Sequence, residues 1–251
     1  DQQLAARVEE LDTMQKIDRE LNKTLNLRRV IDITMEWALR ESRATAGVLG
    51  MIRDDPPNLE IVAHYGYPEE VVAGRFNGSW SLEKGLIGRV ARTGKPELVS
   101  DVRLDGDYVE MLPRAHSQIA VPLITGGKTN GVILLESDQE NAFSLLDQDF
   151  VTRLAEHASP ALANAGLFAQ LQRANEARSE FVGFVAHELK TPMTSIKGFA
   201  DLLLGGVVGP LNEQQRNFLN TIRSNVERMN TLVSDLNDVT KLQTNRMHME
   251  K

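Results

Sequence analysis

The sequence predicts an α+β protein: an antiparallel sheet with flanking helices, joined by a long helix to an all-α antiparallel helical hairpin that forms a dimeric four-helix bundle. Three observations support this. Strand-like segments lie between residues 46 and 137, and few of them alternate with helices as a parallel sheet requires. Beyond Leu145, Pro160 is the single breaker before the final third. That third reads as two apolar helical stripes separated by "GGVVGP".

Composition narrows the class of protein. The chain has 251 residues, enough for one large domain or two ordinary ones. Its net charge is −7 and it has no basic block, which argues against a nucleic-acid partner. With no cysteine, disulfides, thiolate metal sites and iron–sulfur clusters are excluded. No apolar run reaches membrane-spanning length and the start is not a signal peptide, so we expect a cytoplasmic protein, cut from a longer chain.

The first helix is predicted over residues 1–25. An imperfect three- and four-residue spacing joins Leu4, Val8, Leu11, Gln15, Asp18, Leu21 and Leu25, and Met14 and Ile17 widen the apolar stripe. Such a stripe at a chain end is typical of a signalling or coiled-coil helix that pairs with a partner helix. A helix that packs on its own domain would show the same stripe, and the sequence leaves both interpretations open.

Residues 26–165 form the predicted sheet domain. "RRVIDITMEWALRESR" is an amphipathic helix, and "AGVLGMIR" and "LEIVAHYG" are a strand pair around the turn "DDPPN". "GLIGRVARTGKP" is a short helix that ends at Gly94 and Pro96, followed by the strand "PELVSD". "SQIAVPLITGGKTNGVILLES" gives two strands joined by a Gly- and Asn-rich turn.

Two of these segments resemble a known family. "GLIGRVARTGKPELVSDV" followed by "AVPLITGGKTNGVILLES" is similar to the GAF domain, over roughly residues 25–170. The resemblance implies a sensor module, whose ligand the sequence does not identify. His64 and His116 are candidate haem ligands, although a structural or surface role suits each better. The lack of cysteine excludes a bilin attached through that residue.

Residues 166–180 are predicted as a coiled-coil linker. Leu167, Leu171, Ala174, Arg178 and Phe181 alternate by four and three, with Arg178 as a misfit on the seam. A continuous helix between a sensor and a following domain can carry a twist or a shift.

Residues 181–251 form the predicted hairpin. Its first helix keeps Phe181, Val185, Leu189 and Ile196 on one face. Asn212 and Gln215 form a capping box for the second helix, which we expect to reach about Leu242. The second stripe comprises Phe218, Ile222, Val226, Met229, Val233, Leu236 and Val239/Thr240. One hairpin cannot bury a continuous stripe, so the pattern predicts a homodimeric four-helix bundle.

The hairpin's first helix carries "HELKTP", residues 187–192. All six positions match the phosphoacceptor box of sensor histidine kinases, so the chain resembles a GAF plus HisKA member of that family. The resemblance implies that His187 is phosphorylated. A neutral imidazole is a competent nucleophile near pH 7, and a position off the apolar seam leaves it open to a donor.

The neighbouring residues have expected roles. Glu188 would act as general base by holding the proton of the other ring nitrogen, and Lys190 would offset phosphate charge. The resemblance implies that Thr191 orients a water that removes phosphate from a partner's aspartate. Pro192 leaves the carbonyl of Glu188 without its helical hydrogen bond, so it predicts a kink. Solvated charges, packing and a static bend are the alternatives.

No nucleotide-binding motif follows the hairpin. We therefore expect a separate or trimmed kinase domain to supply ATP and Mg²⁺, and this chain to be inactive alone. The resemblance implies that the phosphoryl group then passes to an aspartate in the receiver domain of a response regulator. The alternative is a non-catalytic dimeric scaffold or ligand-binding protein in which the histidine box is vestigial.

Overall fold

The computed structural model describes residues 2–55, 57–75 and 79–249, and within them the side chains of 12–55, 57–74, 80–236 and 238. The chain divides into two units, Asp1–Phe168 and Ala169–Lys251, and each is described by itself. The predicted side-chain positions of Leu4, Val8, Leu11, Val239, Thr240 and His248 lie outside the described side chains.

The first unit contains all the strands of the described residues. Its helices are α1 (Gln2–Leu21), α2 (Leu27–Ser42), α3 (Glu69–Arg75) and α4 (Gly85–Thr93), with one 3₁₀ turn at Val102–Leu104. Its strands are β1 (Ala46–Asp54), β2 (Pro57–Tyr65), β3 (Ser79–Trp80), β4 (Glu97–Val99), β5 (Ser117–Thr125) and β6 (Lys128–Ser137). The sequence analysis missed the short α3 and β3, which carry little periodicity of their own.

The strands form one antiparallel sheet in the order β3-β2-β1-β6-β5-β4. This confirms the predicted α+β class. The hairpin β5–β6 turns at Gly126 and Gly127, both at positive φ, as the glycine-rich turn predicted. Helix α4 ends where predicted, because Gly94 takes the left-handed conformation at φ 64° and donates to the carbonyl of Val90.

The sheet is buried on both faces. One face carries Leu49, Ile119, Ile133 and Leu135 and packs with residues of α1, α2 and the start of α5. The other carries Val48, Ala120, Val132 and Leu134 and packs with α4. Alternate residues of β6 thus enter different cores, which explains why "GVILLES" lacks a polar alternation.

Helix α1 packs on its own domain over its second half. Met14, Ile17 and Leu21 are buried in the same core as the α2 face of the sheet. The sequence left two interpretations open, and this burial agrees with the one in which the helix packs on its own domain. The helix ends at Leu21 rather than near residue 25, and Leu25 is half exposed.

Two long helices make up the rest of the chain. Helix α5 spans Leu145–Leu204, and its residues up to Phe168 belong to the first unit. Helix α6 spans Glu213–Met249 and therefore runs beyond the predicted end near Leu242, since no breaker follows that residue. The predicted capping box is confirmed: Asn212 N donates to Gln215 Oε1 at 2.9 Å, and Gln215 N donates to Asn212 Oδ1 at 2.8 Å.

Small side chains line the inner seam of the hairpin. Ala186, Met193 and Ala200, spaced by seven residues along α5, are buried, as is Val226 of α6. The sequence pattern placed Val226 on the stripe of the second helix and did not single out the three α5 positions. Alanine is only weakly apolar, so the larger Phe, Val and Leu residues dominated the pattern.

Candidate functional site

His187 lies on α5 and is exposed to solvent. The side chain is 79% exposed, and its ring nitrogen Nδ1 lies 3.3 Å from Oε1 of Glu188. A neutral imidazole that donates from Nδ1 to this carboxylate leaves the lone pair of Nε2 free. This places a nucleophilic nitrogen at the surface, as the sequence predicted, beside a carboxylate that can hold the ring proton.

The rest of the predicted box lies on the same exposed stretch of α5. Lys190, Thr191 and Pro192 are all exposed. The Thr191 hydroxyl lies 3.4 Å from the carbonyl oxygen of His187, one turn back, so the two residues are neighbours on the helix. Helix α5 continues through Pro192, so the proline neither ends the helix nor starts a new element. The roles assigned to these three residues remain predictions.

A groove of about 630 Å³ runs between the two helices beside His187. Its α5 wall consists of Gly183, Ala186, His187, Lys190 and Thr194. Its α6 wall consists of Asn230, Thr231, Val233 and Ser234. These lining residues include no carboxylate, although acidic residues outnumber basic ones 35 to 28 in the chain. The α6 wall was not predicted, because facing residues of a hairpin are distant in sequence.

Ion pairs join the two helices below the groove. Lys197 Nζ lies 2.9 Å from Oε1 of Glu227, and Arg223 Nη1 lies 3.8 Å from Oδ1 of Asp201. The hydrogen bond from Lys197 and its positive charge lower the pKa of Glu227. Both pairs are well exposed, so they help to set the register of the helices more than their stability.

An apolar stripe remains uncovered on the outside of the hairpin. On α5 its exposed members are Phe181, Phe184, Leu189, Ile196, Phe199 and Leu202, and on α6 they are Phe218, Ile222, Met229, Leu232 and Leu236. Most of the predicted seam residues therefore lie on this outer surface and not inside the hairpin. A continuous apolar surface of this kind is typical of an interaction site.

A polar cluster is buried in the sheet domain. The carboxylate of Glu136, at the end of β6, is fully buried, and it accepts hydrogen bonds from Tyr67 Oη at 2.7 Å and Gln118 Nε2 at 2.6 Å. Burial raises the pKa of Glu136, although these hydrogen bonds oppose the shift. Burial and the neighbouring carboxylate raise the pKa of Tyr67 as well. The sequence analysis missed this cluster.

The two histidines considered as haem ligands occupy unpromising positions. His64 is exposed to solvent on β2. His116 is partly buried, and its Nδ1 lies 4.0 Å from Oε1 of Glu140. Neither environment favours a haem iron over an ordinary surface or structural role.

Comparison with known proteins identifies both units. The GAF domain model matches residues 24–163, which is more than half of the chain, and the His Kinase A (phospho-acceptor) domain model matches residues 177–245. Within the described residues, no helix has the length and hydropathy needed to cross a membrane.

Several relatives of the chain are histidine kinases. The circadian input-output histidine kinase CikA of Synechococcus elongatus is 27% identical over 180 residues, which cover 58% of this chain and 24% of that protein. Its counterpart in Thermosynechococcus vestitus is 25% identical over 63% of this chain and 26% of its own length. The chain thus spans about a quarter of the length of these relatives.

A solved structure supports the fold of the sheet domain. The GAF domain of the Acinetobacter phosphoenolpyruvate-protein phosphotransferase matches with a TM-score of 0.56 at 20% identity, covering 63% of this chain and 95% of that one. At this identity the match shows the fold of the sheet domain. The GAF domain model spans more than half of the chain, so the chain belongs to the GAF family, and its C-terminal hairpin matches the His Kinase A (phospho-acceptor) domain model.

Proposed function

We propose that His187 accepts a phosphoryl group from ATP and passes it to an aspartate of a response regulator. The observation that carries this proposal is the exposed His187 ring, with Nδ1 held 3.3 Å from Glu188 Oε1 on the first helix of a phospho-acceptor hairpin. Exposure suits this chemistry because two separate domains must reach the same nitrogen in turn.

In the first step, the lone pair of His187 Nε2 attacks the γ-phosphorus of ATP. The bond from that phosphorus to the β,γ-bridging oxygen breaks, and ADP leaves with the electron pair. The ring gains positive charge as the P–N bond forms, and Glu188 stabilises it by accepting the Nδ1 proton. The kinase domain that brings ATP and Mg²⁺ is proposed to be a separate or trimmed part of the protein.

In the second step, a carboxylate oxygen of the receiver's aspartate attacks the same phosphorus. The P–N bond breaks, its electron pair returns to Nε2, and Glu188 returns the proton to Nδ1. Thr191, one turn from His187, is proposed to position the water that later hydrolyses the aspartyl phosphate. Lys190 offsets the charge of the phosphoryl group, and Pro192 provides a place for the helix to bend.

The dimer and the domain boundaries belong to the same proposal. Two hairpins would cover each other's outer stripe in a four-helix bundle, whose upstream continuation would be the coiled-coil linker over residues 166–180. The sensor would comprise 26–165, the hairpin domain 181–251, and residues 1–25 a signalling helix. We propose a cytoplasmic location, where ATP and response regulators are found.

The test uses the chain mixed with a histidine kinase ATP-binding domain, labelled ATP and Mg²⁺. We expect acid-labile label on the wild type, none in His187→Gln, and none when the added domain is omitted. His157→Gln is the matched control, since His157 lies on the same helix, half exposed, with Nδ1 3.1 Å from a carboxylate oxygen of Asp18. Label that survives in His187→Gln, or a folded dimer that never takes label, would overturn the proposal and leave the scaffold alternative.

A further inference from the structure

Three donors without partners meet in the groove beside His187. Among the described residues, the Lys190 ammonium, the Asn230 amide and the Ser234 hydroxyl make no recorded hydrogen bond or ion pair. The other two hydroxyls of the groove are already committed: Thr194 donates to the carbonyl of Lys190 at 2.8 Å, and Thr231 donates to that of Glu227 at 3.2 Å. The free donors of the groove are therefore one cation and two neutral groups.

Asn230 occupies a position where an apolar residue would pack better. It lies on α6 between Val226, which is buried, and Val233, which is half buried, and it is half buried itself. Its amide makes no hydrogen bond within the described residues, and it is not among their buried polar atoms that lack a partner. The amide is therefore open to water or to a ligand.

The chemistry of the groove matches one class of ligand. A phosphoryl group carries close to two negative charges and three strong acceptor oxygens. The groove offers three free donors, one of them cationic, and its lining residues contribute no carboxylate that would repel an anion. His187 lines the same groove, so a group attached to this ring stays within reach of its walls.

We propose that the phosphoryl group on His187 docks in this groove, where Lys190, Asn230 and Ser234 hold its oxygens. The inference rests on the proposed function and extends it to the second helix of the hairpin. Asn230 and Ser234 are positioning residues for the phosphorylated state. They slow the attack of water on the phosphorus, which would break the P–N bond before the phosphoryl group reaches its acceptor.

The test is the lifetime of the phosphohistidine in the chain itself. Phosphoramidate serves as donor: Nε2 of His187 attacks phosphorus, the donor's P–N bond breaks, and ammonia leaves. Phosphorus NMR then follows the decay of the signal at neutral pH. Asn230→Leu is expected to shorten the lifetime about tenfold, the equivalent of one lost hydrogen bond to a charged group. Ser234→Ala should shorten it about threefold to tenfold.

Two further variants separate positioning from a structural effect. Asn230→Asp has nearly the same shape but places a negative charge beside the phosphoryl group, so its lifetime should be the shortest. Asn220→Leu makes the change from Asn to Leu at an exposed site of α6 outside the groove, and its lifetime should equal that of the wild type. Ser234→Ala decides the test if Asn230→Leu does not fold.

Equal lifetimes in the wild type and in the folded Asn230 and Ser234 variants would overturn the inference. That result is distinguishable from failure of the proposed function. A chain that takes label from ATP at His187 but shows equal lifetimes retains the proposed function and loses only the groove's role. A chain that takes no label from ATP loses the proposed function, whatever its lifetimes with phosphoramidate.

Discussion

Replacing Phe199 with serine should weaken the dimer while leaving the helices of the assembled dimer intact. Phe199 lies on the outer stripe of α5 and is 67% exposed in a single chain. Burying a whole Phe side chain contributes about 1.5–3 kcal/mol, so burying the exposed two thirds contributes about 1–2 kcal/mol. Two-fold symmetry counts this twice, which gives about 2–4 kcal/mol per dimer. The Kd for dimerisation should rise about 30- to 700-fold.

Sedimentation equilibrium measures this Kd, and circular dichroism reports helix content in the same samples. Phe and Ser have similar helix propensities, so the variant should keep its helical signal in the dimer. The matched control is Leu104→Ser, which removes an apolar side chain that is 85% exposed on the 3₁₀ turn of the sheet domain. This control should leave the Kd unchanged.

The reasoning would be refuted by a Phe199→Ser variant that dimerises as tightly as the wild type. A wild type that stays monomeric at every concentration would refute it equally. Equal weakening by Leu104→Ser would show that the effect of Phe199→Ser is not specific to the hairpin.

Three further changes test the sheet domain and the hairpin. Because the folded pKa of Glu136 is raised above the carboxyl's ordinary 4.5, its contribution to stability is complete below that value and is lost as pH rises through the folded pKa. Glu136→Gln should therefore gain in Tm relative to the wild type as pH rises through this window, and a relative loss would contradict the assignment. Asn212→Ala removes the N-cap of α6 and should lower the free energy of unfolding of the hairpin by about 1 kcal/mol in urea titrations; an unchanged transition would mean that the cap contributes nothing. Gly66→Ala should destabilise the sheet domain in a thermal melt, since a Cβ would lie 2.2 Å from the carbonyl oxygen of Thr45, whereas Gly74→Ala meets no atom within 4 Å and should be tolerated; equal Tm values would argue against this close approach.

Local signals in the sequence predicted much of the fold. The C-terminal end of α4 follows from Gly94, and the start of α6 follows from the Asn212–Gln215 capping box. In each case the bonded residues lie within a few positions of one another. The exposed position of His187 follows from helical periodicity. Short elements such as α3 were missed, because seven residues carry too little pattern to stand out from a loop.

Contacts between distant residues could not be predicted in the same way. Glu136 meets Tyr67 across 69 residues and Gln118 across 18, and only the sheet order brings these segments together. The groove has the same origin, since Asn230 and Ser234 reach His187 through the packing of two helices. Hydropathy predicted a stripe that one hairpin cannot bury, and most of its residues are exposed, but it did not predict the inner contact at Ala186, Met193 and Ala200.

Because its inner seam is thin, the stability of the hairpin should depend on protein concentration. Alanines at two of the three buried α5 positions bury little area, so one hairpin gains little free energy from closing on itself. In the proposed dimer, the exposed apolar residues of the outer stripe would bury further area only when a second chain binds. Dilution should then unfold the hairpin as well as separate the chains, so that its melting temperature and its resistance to proteases rise with protein concentration. Cellular copy number would thereby set the fraction of chains able to present His187 in a folded helix.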